Sequence, residues 1–211
     1  MKKNIITPIV SILFLALPFL SFSQISNCST HSLTNEVLAA HPERMALREQ
    51  LERDYEEYLL TPENERAGGL KVIPLVVHVI HNNGAENISK NEIINTIDAV
   101  NEELRAQNNT NSVVSAFSGI IGDTQFELRL AKIDNSGNCT DGITRTVSQQ
   151  TYDGGEGVKD LVNWNNGSRR YLQVWLVQSV SGGAGGYTYL PGTVGASRNG
   201  IIIRTAQFQG S

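Results

Sequence analysis

Two hydrophobic rhythms run along the chain, a two-residue one that predicts strands and a three-to-four-residue one that predicts helices. The plainest block is 171–177, YLQVWLV, whose aromatic and β-branched residues predict a half-buried or buried strand. Gly182, Gly183, Gly185 and Gly186 then remove the side chains that enforce a regular path. Tyr187, Thr188, Tyr189 and Leu190 return as a short extended run ending at Pro191, which predicts a sheet edge. Residues 200–204 add a last strand.

Upstream, residues 71–81 form the first strong strand, and Pro74 inside it predicts an edge position or a bulge. Asn82, Asn83 and Gly84 supply a turn. Ser89 with Glu92 makes a capping box, and Ile93, Ile94, Ile97, Val100 and Leu104 give the apolar face of a helix ending near Arg105. Residues 125–133 alternate, with Phe126, Leu128 and Leu130 on one face; a turn cluster at 134–138 leads to a weaker strand at 142–147. Residues 158–164 predict a helical turn or two. Ahead of all these, Pro42 opens a helix that runs to residue 60 with the stripe Leu47, Leu51, Tyr55, Tyr58 and Leu59. Residues 61–69, TPENERAGG, read as an exposed linker and a boundary. The order predicts an α/β (α+β) fold, a mixed twisted sheet with a backing helix.

The N-terminus changes where this fold should act. Lys2 and Lys3 precede an apolar run over 5–22, and Ser21 and Ser23 stand where a signal peptidase reads, so residues 1–23 predict a signal peptide cleaved before Gln24. Pro8 and Pro18 interrupt the run, which is short for a stop-transfer helix. A secreted protein with no membrane partner after signal removal is the expectation. Loss of Lys2 and Lys3 takes the formal charge from -4 to about -6. With no basic patch interleaved with aromatics, that charge argues against nucleic acid as a partner. Two cysteines, Cys28 and Cys139, are too few for a disulfide scaffold and fit either one bridge or free thiols.

Hydrolytic metal chemistry needs about three protein ligands with an open position. The histidines are His31, His41, His78 and His81, and none has the H-E-x-x-H spacing that sets two ligands one helical turn apart. His78 and His81 sit in a predicted strand, where a separation of three directs them to opposite faces. A packed or solvated strand histidine is the better reading of each.

The block YLQVWLVQSVSGGAGGYTYLPG followed by NGIII resembles the strand, loop and cleft edge of pappalysin-type metzincins, secreted zinc metalloproteases of the cytophagalysin branch. NCSTHSLTNEVLAAHPE resembles that family's propeptide start, KVIPLVVHVIHNNGAENIS its first strand and capping turn, INTIDAVNEELRAQNNT its backing helix, and LAKIDNSGNCTDGITRT its second and short strands. The resemblance implies a metzincin-like upper subdomain preceded by a helical pro-segment: residues 24–69 as pro-segment and linker, and 70–211 as the N-terminal part of a catalytic domain. It implies a zinc-dependent metalloendopeptidase acting on protein or peptide substrates, with calcium as a further metal of the family. The family's H-E-x-x-H-x-x-G-x-x-H helix has no counterpart here, so the chain by itself is expected to be inactive. The alternatives are a secreted binding or adhesion domain and a pseudoenzyme or inhibitor.

Three candidate sites follow. Cys28 resembles the propeptide cysteine that occupies the zinc of latent proteases as a thiolate, although Asn27 and Ser29 replace the family's arginine and glycine and only Thr30 is kept. A free thiol or a bridge to Cys139 is the bland alternative. Gly186, Tyr187, Thr188 and Tyr189 form an edge to which an extended substrate can add as another strand, or an ordinary edge whose tyrosines pack on the sheet. Arg66, in the linker, is either a maturation cleavage site or solvated charge.

Overall fold

A computed structural model of the protein describes residues 28–61, 69–108, 115–165 and 170–209. The signal segment at 1–23 and Arg66 lie outside the described residues. The strands are β1 (Lys71–His81), β2 (Phe126–Leu130), β3 (Ile143–Val147), β4 (Leu172–Val177), β5 (Gly186–Tyr187) and β6 (Ile201–Arg204). The helices are α1 (Thr30–Ala40), α2 (Glu43–Leu60), α3 (Lys90–Leu104), α4 (Val158–Leu161) and α5 (Thr205–Phe208). One six-stranded sheet runs β2-β1-β4-β6-β5, with β3 pairing the second half of β1. All pairings are parallel except β5 with β6. The fold is the mixed α/β sheet that the hydrophobic rhythm predicts.

β1 is central and in regular register with its neighbours, which corrects the edge position or bulge expected from Pro74. The Lys71 amide donates to Gln125 and the Leu75 carbonyl accepts from Ala131, so odd-numbered residues of β1 turn their backbone groups toward β2. Pro74 therefore turns its nitrogen toward β4, whose pairing begins only at Leu75 opposite Leu172. The missing N–H falls where no partner strand has yet arrived, so no ladder bond is lost.

Side chains alternate across this sheet and fill two layers. On one face Leu75, Val77, Val79, Val174 and Leu176 pack with Ile93 and Ile97 of α3, whose start is fixed by the Ser89–Glu92 capping box. Full burial of a side chain such as Ile93 stabilises by roughly 1.5–3 kcal/mol. On the other face Ile80, Trp175, Val177 and Ile202 pack with Val158 of α4, Tyr187 and Tyr189. Leu33 and Val37 of α1 lie against that layer. The sheet is thus covered on both faces, where one backing helix was expected.

The two N-terminal helices depart from the sequence reading. α1 has no proline or charged cap to announce it, and its buried face carries Thr34 beside Leu38, which breaks the apolar stripe. α2 forms over the expected residues, but no residue in it is buried; Leu47, Leu51, Tyr55, Tyr58 and Leu59 are exposed. Its Arg48–Glu52 and Arg53–Glu49 pairs keep it a solvated helix. The Arg44 guanidinium, which donates to the Thr193 carbonyl, ties its first turn to the rest of the fold.

Candidate functional site

β5 is the outermost strand at one end of the sheet, as its glycines and Pro191 predict. It runs antiparallel to β6, with Gly186 opposite Ile203 and Tyr187 opposite Ile202. Gly186 is required by close approach, because a Cβ there would stand 2.9 Å from the Ile202 carbonyl oxygen and 3.2 Å from Ile203 Cα. Gly200 opens β6 with φ 135°, and a Cβ there would meet the Gln173 carbonyl oxygen and the Trp175 ring at 2.6 Å. Both glycines draw the edge tightly onto the sheet.

The outer side of this edge is taken by the N-terminal segment. Cys28 forms a parallel β-bridge with Gly186, and the Thr188 amide donates to the Thr30 hydroxyl at 3.2 Å. The Cys28 thiol, itself exposed, donates to the same hydroxyl at 3.4 Å. The Thr30 hydroxyl, and after it the Thr30 backbone, hold the Cys28 thiol below its ordinary pKa. Cys28 and the residues 186–189, two separate candidates in the sequence, come together here. Cys139 does not join them: it forms a bridge with Ile133 just past β2, at the opposite end of the sheet. Four strand spacings of about 4.8 Å put nearly 20 Å between those ends, so the Cys28–Cys139 disulfide is excluded. Both thiols are free.

Beneath the edge the tyrosines pack inward, as the bland reading of this strand had it. Tyr187 and Tyr189 are buried with their rings edge to face, 6.0 Å apart. The Tyr187 hydroxyl donates to Glu156 Oε1 at 2.9 Å. Burial, reinforced by the Glu156 carboxylate, pushes both phenols up, Tyr189 to about 12. Glu156 also pairs with Lys159 at 2.8 Å, and the Arg198 guanidinium donates to the Glu156 carbonyl at 2.9 Å. Sequence reasoning missed Glu156, Lys159 and Arg198. The one available signal was a lysine inside the apolar-flanked run Val158-Lys159-Asp160-Leu161.

The strand histidines are buried and committed to the fold. His78 Nε2 faces Gln173 Oε1 at 3.1 Å, and Nδ1 faces the Thr144 hydroxyl at 2.7 Å. Gln173 Oε1 also accepts the Trp164 amide, so it is the acceptor in this trio and His78 carries its proton on Nε2. Burial pushes the imidazole down to about 4, against the opposing Gln173 bond. His81 Nδ1 accepts the Asn83 amide at 3.2 Å. Among the described residues no three His, Cys, Asp or Glu side chains are placed to hold a metal ion. The residues present therefore do not make up a zinc site, and the Asp134 carboxylate accepts the amides of Ser136 and Asn138.

No family model matches the chain, and no curated protein matches it. Solved structures do. Mature mirolysin of Tannerella forsythia in complex with a cleaved peptide is 32% identical over 66% of this chain and 54% of that one, with a TM-score of 0.55. A Tannerella forsythia promirolysin mutant is 29% identical over 84% of this chain and 59% of that one, with a TM-score of 0.66. Mirolysin in complex with compound 9 is 33% identical over 66% and 54%, with a TM-score of 0.55. The chain spans between 54% and 59% of the length of these structures. Its mostly parallel mixed sheet with flanking helices is the metzincin-like fold of the mirolysin metalloproteases.

Proposed function

We propose that this chain is the N-terminal portion of a secreted, zinc-dependent metalloendopeptidase of the pappalysin type, made as a latent precursor. Residues 24–69 are the pro-segment, Arg66 marks its maturation cleavage, and 70–211 begin the catalytic domain. The edge at Gly186, Tyr187, Thr188 and Tyr189 takes protein or peptide substrates by backbone pairing, and Cys28 is the pro-segment thiolate that keeps the enzyme latent. The zinc ligands are not supplied by the described residues, and the chain alone is inactive.

The observation that carries this reading is the seating of Cys28 and Thr30 along β5. An edge strand presents unpaired backbone groups, and a strand laid along it blocks any other extended chain. Coverage adds support: the promirolysin structure aligns with 84% of this chain, the mature ones with 66%. No helix among the described residues is long and apolar enough to cross a membrane.

The test is displacement. Extended peptides of unrelated sequence are titrated into the chain while the Thr188 amide resonance and the alkylation rate of Cys28 are followed. Release of the 28–30 segment by every such peptide supports a backbone-reading edge. Peptides that leave both signals unmoved at millimolar concentration refute it.

A further inference from the structure

Lys159 carries a charge that the docking of Cys28 and Thr30 does not touch. It sits on the single-turn helix α4 with no exposed side-chain surface. Its ammonium pairs with Glu156 at 2.8 Å and donates to the Arg198 carbonyl at 2.8 Å. It also faces three rings, Trp175 at 5.6 Å, Tyr187 at 5.6 Å and Tyr189 at 5.0 Å from their centroids. A buried ammonium costs several kcal/mol unless it is paired, and a methionine would fill the same volume without that cost. Each ring face and the carboxylate offset part of the penalty, and they do so only in this arrangement.

The arrangement falls on β5. Two of the three rings belong to the residues on either side of Thr188, and the carboxylate that pairs with Lys159 also holds the Tyr187 hydroxyl. Tyr187 ends β5 and Tyr189 lies just past it, and both rings are anchored in the same buried layer, so the backbone at Thr188 between them is fixed from both sides. That fixes where the Thr188 amide points. Arg198 closes the cluster from outside, bound to the Glu156 carbonyl and to Asp160 at 2.7 Å.

We propose that Lys159 is the positioning residue of this edge: its caged ammonium holds Tyr187 and Tyr189 so that the Thr188 amide is presented to an extended chain docking on β5. The inference rests on the reading of β5 as a peptide-docking edge and names the buried charge that sets its geometry. The positive charge, not the bulk of the side chain, is what positions the strand.

Hydrogen exchange of the Thr188 amide in the intact chain reads the docked 28–30 segment directly. Lys159→Met is expected to speed that exchange by about tenfold or more while amides of Val76 and Leu176 in the sheet centre keep their protection. Native exchange at Thr188 in a folded Lys159→Met chain overturns the proposal. If Lys159→Met loosens the whole sheet, Lys159→Ala decides, because it leaves a cavity shaped for propylammonium. Restoration of Thr188 protection by propylammonium but not by 1-propanol supports the charge. Restoration by both, or by neither, overturns it. Peptide titration of the unmutated chain keeps the two readings apart: peptides that fail to displace the segment refute the substrate edge, while faster Thr188 exchange in Lys159→Met still assigns Lys159 to the pro-segment's seat.

Discussion

Acid should destabilise this fold through His78 well before its carboxylates protonate. The imidazole is held neutral in the folded state, with its pKa pushed down to about 4 by burial from an ordinary value of 6.5. Below pH 6.5 the unfolded chain binds a proton that the folded chain refuses, so stability falls as pH falls, by up to about 1.4 kcal/mol per unit. The sign follows from the lowered pKa: the contribution is intact above pH 6.5 and is lost progressively down to about 4. From pH 7 to pH 5 the His78 share of the loss is about 2 kcal/mol, and by pH 4 about 3 kcal/mol. That is a large fraction of the stability of a typical domain. The assay is urea unfolding at pH 7, 6 and 5 for the chain and for His78→Gln, which cannot titrate. The variant should be weaker at pH 7, because Thr144 and Gln173 lose a matched partner and the ring leaves its contact with Trp175 at 5.2 Å. The gap between the two should shrink by about 2 kcal/mol at pH 5. Parallel stability curves across this range would refute a buried neutral His78.

Thr188→Pro removes the amide that donates to Thr30 and should cost about 1 kcal/mol of segment docking, seen as faster exchange and proteolysis over residues 28–40. Metal analysis of the purified chain should find no stoichiometric zinc, and casein should stay intact; one tightly bound zinc per chain would contradict the site geometry. Asn101→Leu should uncover the outward N–H and carbonyl of Leu128, destabilise by about 1–3 kcal/mol and promote self-association measurable by sedimentation.

The fold was legible where one residue type answers one structural demand. The Ser89–Glu92 box, the apolar spacing of α3 and the aromatic and β-branched run of β4 each specify an element locally, and each element stands where expected. Pro74 misled because a missing donor was equated with an edge strand or a bulge. What decides is which side of the strand is paired at that residue, and the ragged start of β4 is a tertiary fact. The α2 stripe misled in the opposite way: helical spacing shows that one face can be buried, not that anything covers it. At the candidate site, Cys28 and Gly186 to Tyr189 were each visible, since a lone cysteine and a glycine-rich edge stand out in any sequence. Their contact was not, because 158 residues separate Cys28 from Gly186 and no local pattern encodes a bridge of that span. The Glu156–Lys159–Arg198 cluster was barely legible for a related reason. A charge announces burial only through its partners, and although Glu156 stands three residues from Lys159, Arg198 and the tyrosine rings come from a distant part of the chain.

The two ends of the sheet are treated differently, and the difference bears on function. At the β2 end the Asn101 side chain accepts the Leu128 amide at 2.8 Å and donates to the Leu128 carbonyl at 2.9 Å, copying the bonds of an added strand. Leu128 lies on the outward set of β2, since the odd-numbered Gln125 and Ala131 serve β1. That end is closed by a side chain within the fold, and no extended chain can pair there without first displacing it. At the β5 end the cover is the Cys28 backbone and the Thr30 hydroxyl, both carried by the N-terminal segment that leads into α1. A side-chain plug is permanent, whereas a docked segment can be displaced or cut away. An edge that only needed protection from aggregation would be served by the first device. The second would leave the edge usable once the segment departs, with Gly186 and the buried tyrosines holding it against the sheet, so the choice of cover supports the proposed pairing site at β5 rather than one at β2.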